Sequence, residues 1–187
     1  MTGERVRAAF DAVHREDFLP ADQRSLAALD QALPIGHQQT NSQPRTVAQM
    51  LALLDVCPGQ QVLDVGSGSG WTTALLGHLV GPEGRVIGVE IVPELVRWSR
   101  QNLGTYAMPW TEIRQATQDE LGAPADGPFD RILVSAEAPE LPQPLVDQLD
   151  ENGVLVIPVS GRLVIAERRA GDVRSRRHGH YQFVPLR

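Results

Sequence analysis

Apolar residues follow a helical period in the first third of the chain. They recur every third or fourth position from about Thr2 to Val13, and again between Thr46 and Leu54. This spacing predicts two amphipathic helices. The segment Leu33–Pro44 between them is polar and marked by prolines, so we expect an irregular loop outside the core.

From Gln61 onwards the pattern changes to short, nearly continuous apolar runs that alternate with helical segments. The predicted strands are Gln61–Val65, Arg85–Glu90, about Trp110–Arg114, Arg131–Ser135 and Val154–Val159. The predicted helices are about Thr72–Val80, Pro93–Leu103 and near Pro144–Leu149. Strands that are apolar throughout are buried on both faces, so this order predicts a parallel sheet covered by helices.

Two β-rich segments close the chain, Leu163–Arg168 and His180–Leu186, and we expect them to form an antiparallel pair. A basic cluster lies between them around Gly171-Asp172. Its members are Arg168, Arg169, Arg174, Arg176, Arg177 and His178. A solvated hairpin turn is the favoured interpretation, and a patch that binds phosphate or acidic groups is the alternative.

These elements predict one α/β domain over residues 1–187, built on a doubly wound, mostly parallel sheet. Residues 1–58 would form a helical cap with the polar loop, residues 59–160 the core, and residues 161–187 the antiparallel C-terminal β pair. The cap would lie over the carboxyl edge of the sheet, where ligands bind in such folds.

Composition narrows the functional classes. Of the 187 residues 42% are hydrophobic, and the net charge is −6. The chain lacks an apolar run of about 18 residues and a readable secretory signal, so we expect neither a membrane span nor export. The acidic balance argues against a nucleic-acid partner. A single cysteine, Cys57, excludes an internal disulfide and a cysteine-based metal cluster, which fits a reducing cytoplasm and no bound metal.

A glycine-rich turn joins the first core strand to its helix. Gly66-Ser67-Gly68-Ser69-Gly70 would let a ligand approach the backbone closely, although a plain tight turn has the same composition. Glu90 ends the next strand, 20 positions after Gly70, where a carboxylate can accept both hydroxyls of a ribose. A solvated strand end is the alternative for Glu90 alone.

An acidic residue, Asp64, precedes this turn and is unsuited to a pyrophosphate, whereas it suits a cation. The pattern Asp-x-Gly-x-Gly-x-Gly resembles motif I of the Rossmann-like S-adenosyl-L-methionine (SAM) methyltransferases. The resemblance implies that Asp64 and the glycine backbone bind the methionine end of SAM and that Glu90 binds its ribose. The product would be S-adenosyl-L-homocysteine.

A closer resemblance lies upstream of that motif. Leu33-Pro34-Ile35-Gly36, followed by Thr40-Asn41-Ser42-Gln43-Pro44, is similar to the substrate loop of the protein-L-isoaspartate (D-aspartate) O-methyltransferase family. Further matching stretches follow in the family's order and include Phe18-Leu19-Pro20, Pro128-Phe129-Asp130, Leu141-Pro142 and Phe183-Val184-Pro185-Leu186. The resemblance implies a cytoplasmic protein-repair enzyme. It would methyl-esterify L-isoaspartyl and D-aspartyl residues in damaged polypeptides and start repair through a succinimide.

The resemblance also assigns site residues. The implied catalytic residues, which hold the substrate carboxylate, are Thr40 and Ser42. The implied substrate-binding residues are Ile35, Gly36, Asn41, Ser135 and Ala136, and the implied cofactor-binding residues are Asp64, Gly66, Ser67, Gly68, Gly70, Trp71 and Glu90. Thr40 and Ser42 could instead satisfy a turn, and Trp71 could instead pack a helix.

Three departures mark a divergent member. Asn41 stands where the family has an apolar residue, and Trp71 where it has tyrosine. The family's Gly-Asp-Gly after the third core strand is replaced by Thr117-Gln118-Asp119, so we expect Gln118 or Asp119 to meet the adenine amino group.

The chemistry requires little from the protein. A carboxylate with a pKa of about 4 is already ionised at neutral pH, so methyl transfer to it needs alignment and a dry site rather than a strong base. Two alternatives remain open at this stage: methylation of another peptide or of a small carboxylate, and SAM binding without turnover. The oligomeric state is not readable, and we expect a monomer.

Overall fold

The computed structural model describes residues 2–117 and 119–187. The helices are α1 (Thr2–Ala12), α2 (Pro44–Leu54), α3 (Trp71–Val80), α4 (Pro93–Leu103) and α5 (Gln143–Val146). The strands are β1 (Leu33–Gly36), β2 (Gln39–Asn41), β3 (Gln61–Val65), β4 (Arg85–Glu90), β5 (Thr111–Gln115), β6 (Phe129–Val134), β7 (Leu149–Val159), β8 (Arg162–Arg169) and β9 (Asp172–His178). Short 3-10 turns cover Arg15–Phe18, Arg24–Leu26 and Pro124–Asp126.

Seven strands form the central sheet in the order β5-β4-β3-β6-β7-β8-β9. β3 to β7 are parallel, and β8 and β9 add to one side as antiparallel strands. The strand order reverses at β3, which pairs with β4 on one side and β6 on the other. The predicted α/β class, with a mostly parallel sheet and an antiparallel C-terminal pair, is confirmed.

The apolar runs are explained by burial on both faces of the sheet. Val62 and Val86 belong to a cluster that includes side chains of α1 to α4, whereas Leu63 and Ile87 belong to a second cluster with α5. Adjacent residues of one strand therefore enter different clusters, as the pleat requires.

The segment Leu33–Pro44 is not an irregular loop, and that expectation is wrong. β1 and β2 pair as an antiparallel hairpin with Leu33 opposite Asn41. Leu33 and Ile35 point inwards and pack with Leu19, whereas Pro34 and Gly36 point out. The alternation of a strand was therefore present, although proline and glycine occupied its outward positions.

The strand that pairs with β8 also differs from the prediction. The predicted strand His180–Leu186 is wrong, because β9 (Asp172–His178) pairs with β8 through a turn at Ala170-Gly171. β9 is an edge strand, and six of its seven residues are exposed, so backbone pairing rather than apolar burial makes it a strand. The predicted helix near Pro144–Leu149 ends at Val146, and Leu149 begins β7.

Over the described residues, no helix has the length and apolar character needed to cross a membrane.

Candidate active site

A cavity opens where β3, β4 and β6 end, at the point where the strand order reverses. We call it the switch-point cavity, because ligands of doubly wound folds bind at this position. Its walls come from the ends of these strands, the glycine turn, the β1–β2 hairpin and the last residues of the chain. They include Val65–Ser69, Val89–Ile91, Ser135, Ala136, Thr40–Ser42 and Val184–Arg187.

The glycine turn lies in a conformation that excludes larger residues. Gly66 and Gly70 have φ angles of 77° and 93°. A Cβ at Gly70 would also lie 3.2 Å from Cβ of Ser99. The turn leads directly into α3, so the first residues of that helix, Trp71 and Thr72, line the cavity with it. The N-terminus of a helix presents unpaired N–H groups.

Glu90 lies in the wall of the cavity and is only 6% exposed, so it is not a solvated strand end. One carboxylate oxygen accepts from the N–H of Gly68 and the other from the N–H of Val92, both at 2.9 Å. Each oxygen retains a further lone pair. The carboxylate is thus fixed by the backbone and able to accept from two neighbouring hydroxyls.

Asp64 is fully buried and does not line the cavity. Its Oδ2 accepts from the hydroxyls of Thr72 and Thr73, both at 2.7 Å, and its Oδ1 has no partner among the described atoms. Burial raises the pKa of Asp64 to about 6, against the opposing effect of the two threonine bonds. Asp64 therefore lies behind the turn as a buried acid, rather than on its surface.

Two further predicted cofactor residues line the cavity in different ways. Ser67 lines the cavity, but its hydroxyl is buried and has no partner among the described atoms. Trp71 is 3% exposed, and Phe10 meets its ring edge-on with centroids 5.4 Å apart. Trp71 therefore packs against α1 and also contributes to the cavity wall.

A second, wider cavity adjoins the first, and we call it the outer groove. Its lining comprises Ala32, Thr40, Ser42, Gln43, Arg45, Thr46, Gln49, Ser135, Gly161 and His180–Val184. Thr40, Ser42, Ser135 and Val184 belong to both cavities. Two molecules bound in the two spaces would meet at these shared residues.

Some predicted residues lie elsewhere. Ile35 and Gly36 line neither cavity; Ile35 is buried, and its Cδ1 would lie 3.3 Å from a Cβ placed on Gly68. They shape the hairpin and hold it against the glycine turn. Asp119 is exposed and lines a separate surface cavity with Pro124 and Pro144. Gln118 lies outside the described residues.

Other residues of the site were given no site role by the sequence. Thr117 and Glu120–Gly122 line the switch-point cavity at the place expected for Gln118 and Asp119. The chain end reaches it through two backbone bonds: the Glu137 N–H donates to Val184 at 2.7 Å, and the Leu186 N–H donates to Glu137 at 2.8 Å. The similarity of residues 183–186 to the family pattern was visible in the sequence, but it did not predict where this segment lies in the fold.

Arg15 is the most buried cation of the site region and was not predicted either. Its side chain donates to Asn41 and lies over the ring of Trp71, with Cζ 5.4 Å from the ring centroid. Within residues 2–117 and 119–187, no group of three or more His, Cys, Asp or Glu side chains could hold a metal ion.

Comparison with known proteins gives consistent matches. The family model described as protein-L-isoaspartate(D-aspartate) O-methyltransferase matches residues 1–187. The protein-L-isoaspartate O-methyltransferase of Methanopyrus kandleri is 43% identical over 187 residues, which cover 97% of this chain and 83% of that protein. The protein of the same name from Aeropyrum pernix is 44% identical, over 100% of this chain and 74% of that protein.

Solved structures agree in fold. A crystal structure from Plasmodium falciparum, described as a protein-L-isoaspartate O-methyltransferase in complex with S-adenosyl-L-homocysteine, has a TM-score of 0.87 at 29% identity, over 98% of this chain and 90% of that chain. A second protein-L-isoaspartate O-methyltransferase structure has a TM-score of 0.88 at 22% identity, over 98% of this chain and 61% of that chain, and shares the fold.

Proposed function

The chain belongs to the protein-L-isoaspartate(D-aspartate) O-methyltransferase family, and from this membership we propose how its two cavities divide the reaction. The enzyme transfers a methyl group from SAM to the carboxylate of isoaspartyl residues in proteins. The observation that carries the assignment of roles is the meeting of the switch-point cavity and the outer groove at Thr40, Ser42 and Ser135.

The switch-point cavity is the proposed site of SAM. Its wall fits a ribosylated cation, because the Glu90 carboxylate has free lone pairs for two ribose hydroxyls. Asp64 supplies negative charge behind the turn, and Gly66, Gly68 and Gly70 expose the backbone. Thr117 and Glu120 form the wall beyond β5, so we assign the adenine end to them rather than to Asp119. Bound SAM supplies an electrophilic methyl group.

The outer groove is the proposed site of the damaged polypeptide. Its lining contains no Asp or Glu side chain among the described residues, which favours an anionic group. The hydroxyls of Thr40 and Ser42 would orient the substrate carboxylate at the opening into the first cavity. Asn41, Ser135 and Ala136 would border the transfer site.

The protein's contribution to the reaction is alignment. The substrate carboxylate is ionised at neutral pH, so no proton has to be removed before its oxygen attacks. Holding that oxygen in line with the methyl group replaces a bimolecular encounter by an intramolecular one. Attack of an anion on a cation reduces charge, and a site closed by the hairpin and the chain end favours such a reaction.

We also propose one catalytic domain over residues 1–187, acting as a monomer in the cytoplasm without nucleic acid. The extent of the family match supports the single domain. The net charge of −6 argues against a nucleic-acid partner, and the single cysteine fits the cytoplasm.

The test is methyl transfer from labelled SAM to an isoaspartyl peptide, beside the same peptide with normal aspartate. We expect transfer to the isoaspartyl peptide only. Absence of transfer at saturating SAM would contradict the proposal. Binding of S-adenosyl-L-homocysteine, measured by calorimetry, separates a defect in the cofactor site from one in the outer groove.

A further inference from the structure

Three of the four basic residues of β9, Arg174, Arg176 and His178, lie on the face of the sheet that holds the outer groove, whereas Arg177 lies on the other face. Arg176 is opposite Ile165 of β8, and His178 is opposite Leu163. Directly opposed residues of an antiparallel pair share a face. Leu163 and Ile165 pack in the same cluster as residues of α2, the helix that contributes Arg45, Thr46 and Gln49 to the groove.

A direct contact links this row of residues to the groove. The ring of His178 stacks against Tyr181 with centroids 6.4 Å apart, and Tyr181 lines the outer groove. Arg174, Arg176 and His178 alternate along the strand, so they form one row that begins at the groove and runs away from it. We call this row the β9 strip.

The strip carries uncompensated positive charge. In the part of the chain that the structure describes, no carboxylate lies within ion-pair distance of Arg174 or Arg176. Glu167, opposite Arg174, pairs with Arg169 instead, at 3.1 Å.

The lining of the groove contains no Asp or Glu side chain among the described residues. Its two basic residues are Arg45 and His180; Arg45 pairs with Asp30 outside the lining, and His180 Nε2 lies 3.0 Å from the guanidinium of Arg162. An anionic chain leaving the groove along β9 would meet no carboxylate among the described lining residues before it reaches Arg176 and Arg174.

We propose that the β9 strip binds an acidic, extended segment of the substrate polypeptide that flanks the isoaspartyl residue. Alternate residues of an extended chain are about 6.7 Å apart, so acidic side chains at alternate positions match the spacing of Arg174 and Arg176. β9 is also an edge strand, whose outer backbone groups are free to pair with such a segment. This inference rests on the proposed function and names a substrate class for it.

Charged edge strands also prevent edge-to-edge aggregation, and that role alone predicts no effect on substrate choice. The test therefore compares isoaspartyl peptides that differ only in their flanks, with acidic or neutral residues placed at increasing separation on either side. We expect kcat/KM to be about tenfold higher for the best acidic flank, through KM and in a salt-dependent way.

The double variant R174Q/R176Q removes two exposed charges without touching either cavity wall. We expect it to lose the preference for acidic flanks while the neutral peptide reacts as before. The control R7Q/R97Q removes two exposed charges elsewhere and should keep the preference. The proposal is contradicted if the native protein methylates both peptides equally well. It is also contradicted if the two double variants lose the preference for acidic flanks to the same extent.

Two further measurements separate failure of the proposed function from failure of this inference. If neither peptide is methylated, the proposed function fails, and anisotropy of labelled peptides still tests whether R174Q/R176Q weakens binding of the acidic flank. A single-stranded oligonucleotide serves as a competitor. If it displaced the peptide at lower concentration than free acidic peptide does, the strip would be a nucleic-acid site and the inference wrong.

Discussion

Arg15 donates its Nε–H to the side-chain oxygen of Asn41 at 2.8 Å, and both residues are about 95% buried. The remaining N–H groups of the guanidinium donate to backbone carbonyls of residues 27, 29, 31, 41 and 42. Asn41 in turn donates to the Ser69 hydroxyl of the glycine turn at 3.2 Å. A buried cation thereby fixes the hairpin and joins it to the turn that borders the proposed SAM site.

Arg15→Lys should be strongly destabilising. Burial lowers the pKa of Arg15 to about 10, so the side chain is still charged at neutral pH and its charge is balanced by carbonyl dipoles. Lysine has three donors and cannot meet the same oxygens, so we expect the free energy of unfolding to fall by about 2–4 kcal/mol. Denaturant unfolding measures this. Exposed Arg7→Lys is the control, and similar small losses for both variants would contradict the role of Arg15.

Asn41 can be tested with a pair of substitutions. Asn41→Ile installs the apolar type that the family has, but it leaves Arg15 Nε without its acceptor, so we expect a loss of about 1–3 kcal/mol in unfolding free energy. Asn41→Asp retains an acceptor for Arg15, so its stability should stay close to that of the native protein. It also places a carboxylate between Thr40 and Ser42, which should raise KM for an anionic peptide.

The two variants separate stability from substrate binding. Unfolding curves and peptide kinetics at saturating SAM provide both readouts. Should Asn41→Asp leave KM unchanged, the carboxylate of the substrate does not approach this part of the hairpin.

The parts of the site that could be predicted are those encoded locally. The glycine turn and Glu90 follow from the order of β3 and β4, since neighbouring parallel strands bring their carboxyl ends to one edge. Ser42 and Ser135 came from the family resemblance, and the structure brings them together. In each case one short stretch of sequence specifies both the element and the position of the residue on it.

The parts that could not be predicted depend on partners far along the chain. Arg15 donates mostly to backbone carbonyls. Every residue has a carbonyl, so no residue type in the sequence indicates these bonds. β9 is a strand because β8 pairs with it, not because of its own apolar pattern. Glu120 lines the switch-point cavity and Asp119 does not, because the path of the loop after β5, rather than its composition, decides which residue borders the cavity.

Glu90→Gln should weaken cofactor binding. In the native protein each carboxylate oxygen of Glu90 accepts a hydrogen bond from one backbone N–H. A glutamine amide would instead point its NH₂ donor at one of these two N–H groups. The loss of the charge and of one acceptor predicts a Kd for S-adenosyl-L-homocysteine raised by about 10²-fold. Calorimetry measures it, with exposed Glu94→Gln as the control. An unchanged Kd for Glu90→Gln would remove Glu90 from the ribose site.

The raised pKa of Asp64 predicts that the stability of the protein falls as pH rises. Its pKa is about 6 in the folded protein, mainly because of burial and with a smaller contribution from the charge of Glu90, against an ordinary value of 3.8. Between these values the folded state binds more protons than the unfolded state, so stability falls as pH rises through this window. Asp126 has the opposite shift, because its hydrogen bond with Arg114 lowers its pKa.

Asp64→Asn removes the ionisable group, so its stability relative to the native protein should rise by about 2–3 kcal/mol between pH 4 and 6.5. Asp126→Asn should show the reverse trend: a relative loss at neutral pH that shrinks in acid, as the native carboxylate becomes protonated. Urea unfolding of the three proteins measures both slopes, between pH 4 and 6.5 for Asp64 and below about pH 4 for Asp126, whose pKa in the folded protein lies under the ordinary 3.8. A difference between Asp64→Asn and the native protein that does not change with pH would mean that Asp64 stays ionised throughout the window. In that case a group not facing Asp64 in this structure must stabilise its charge.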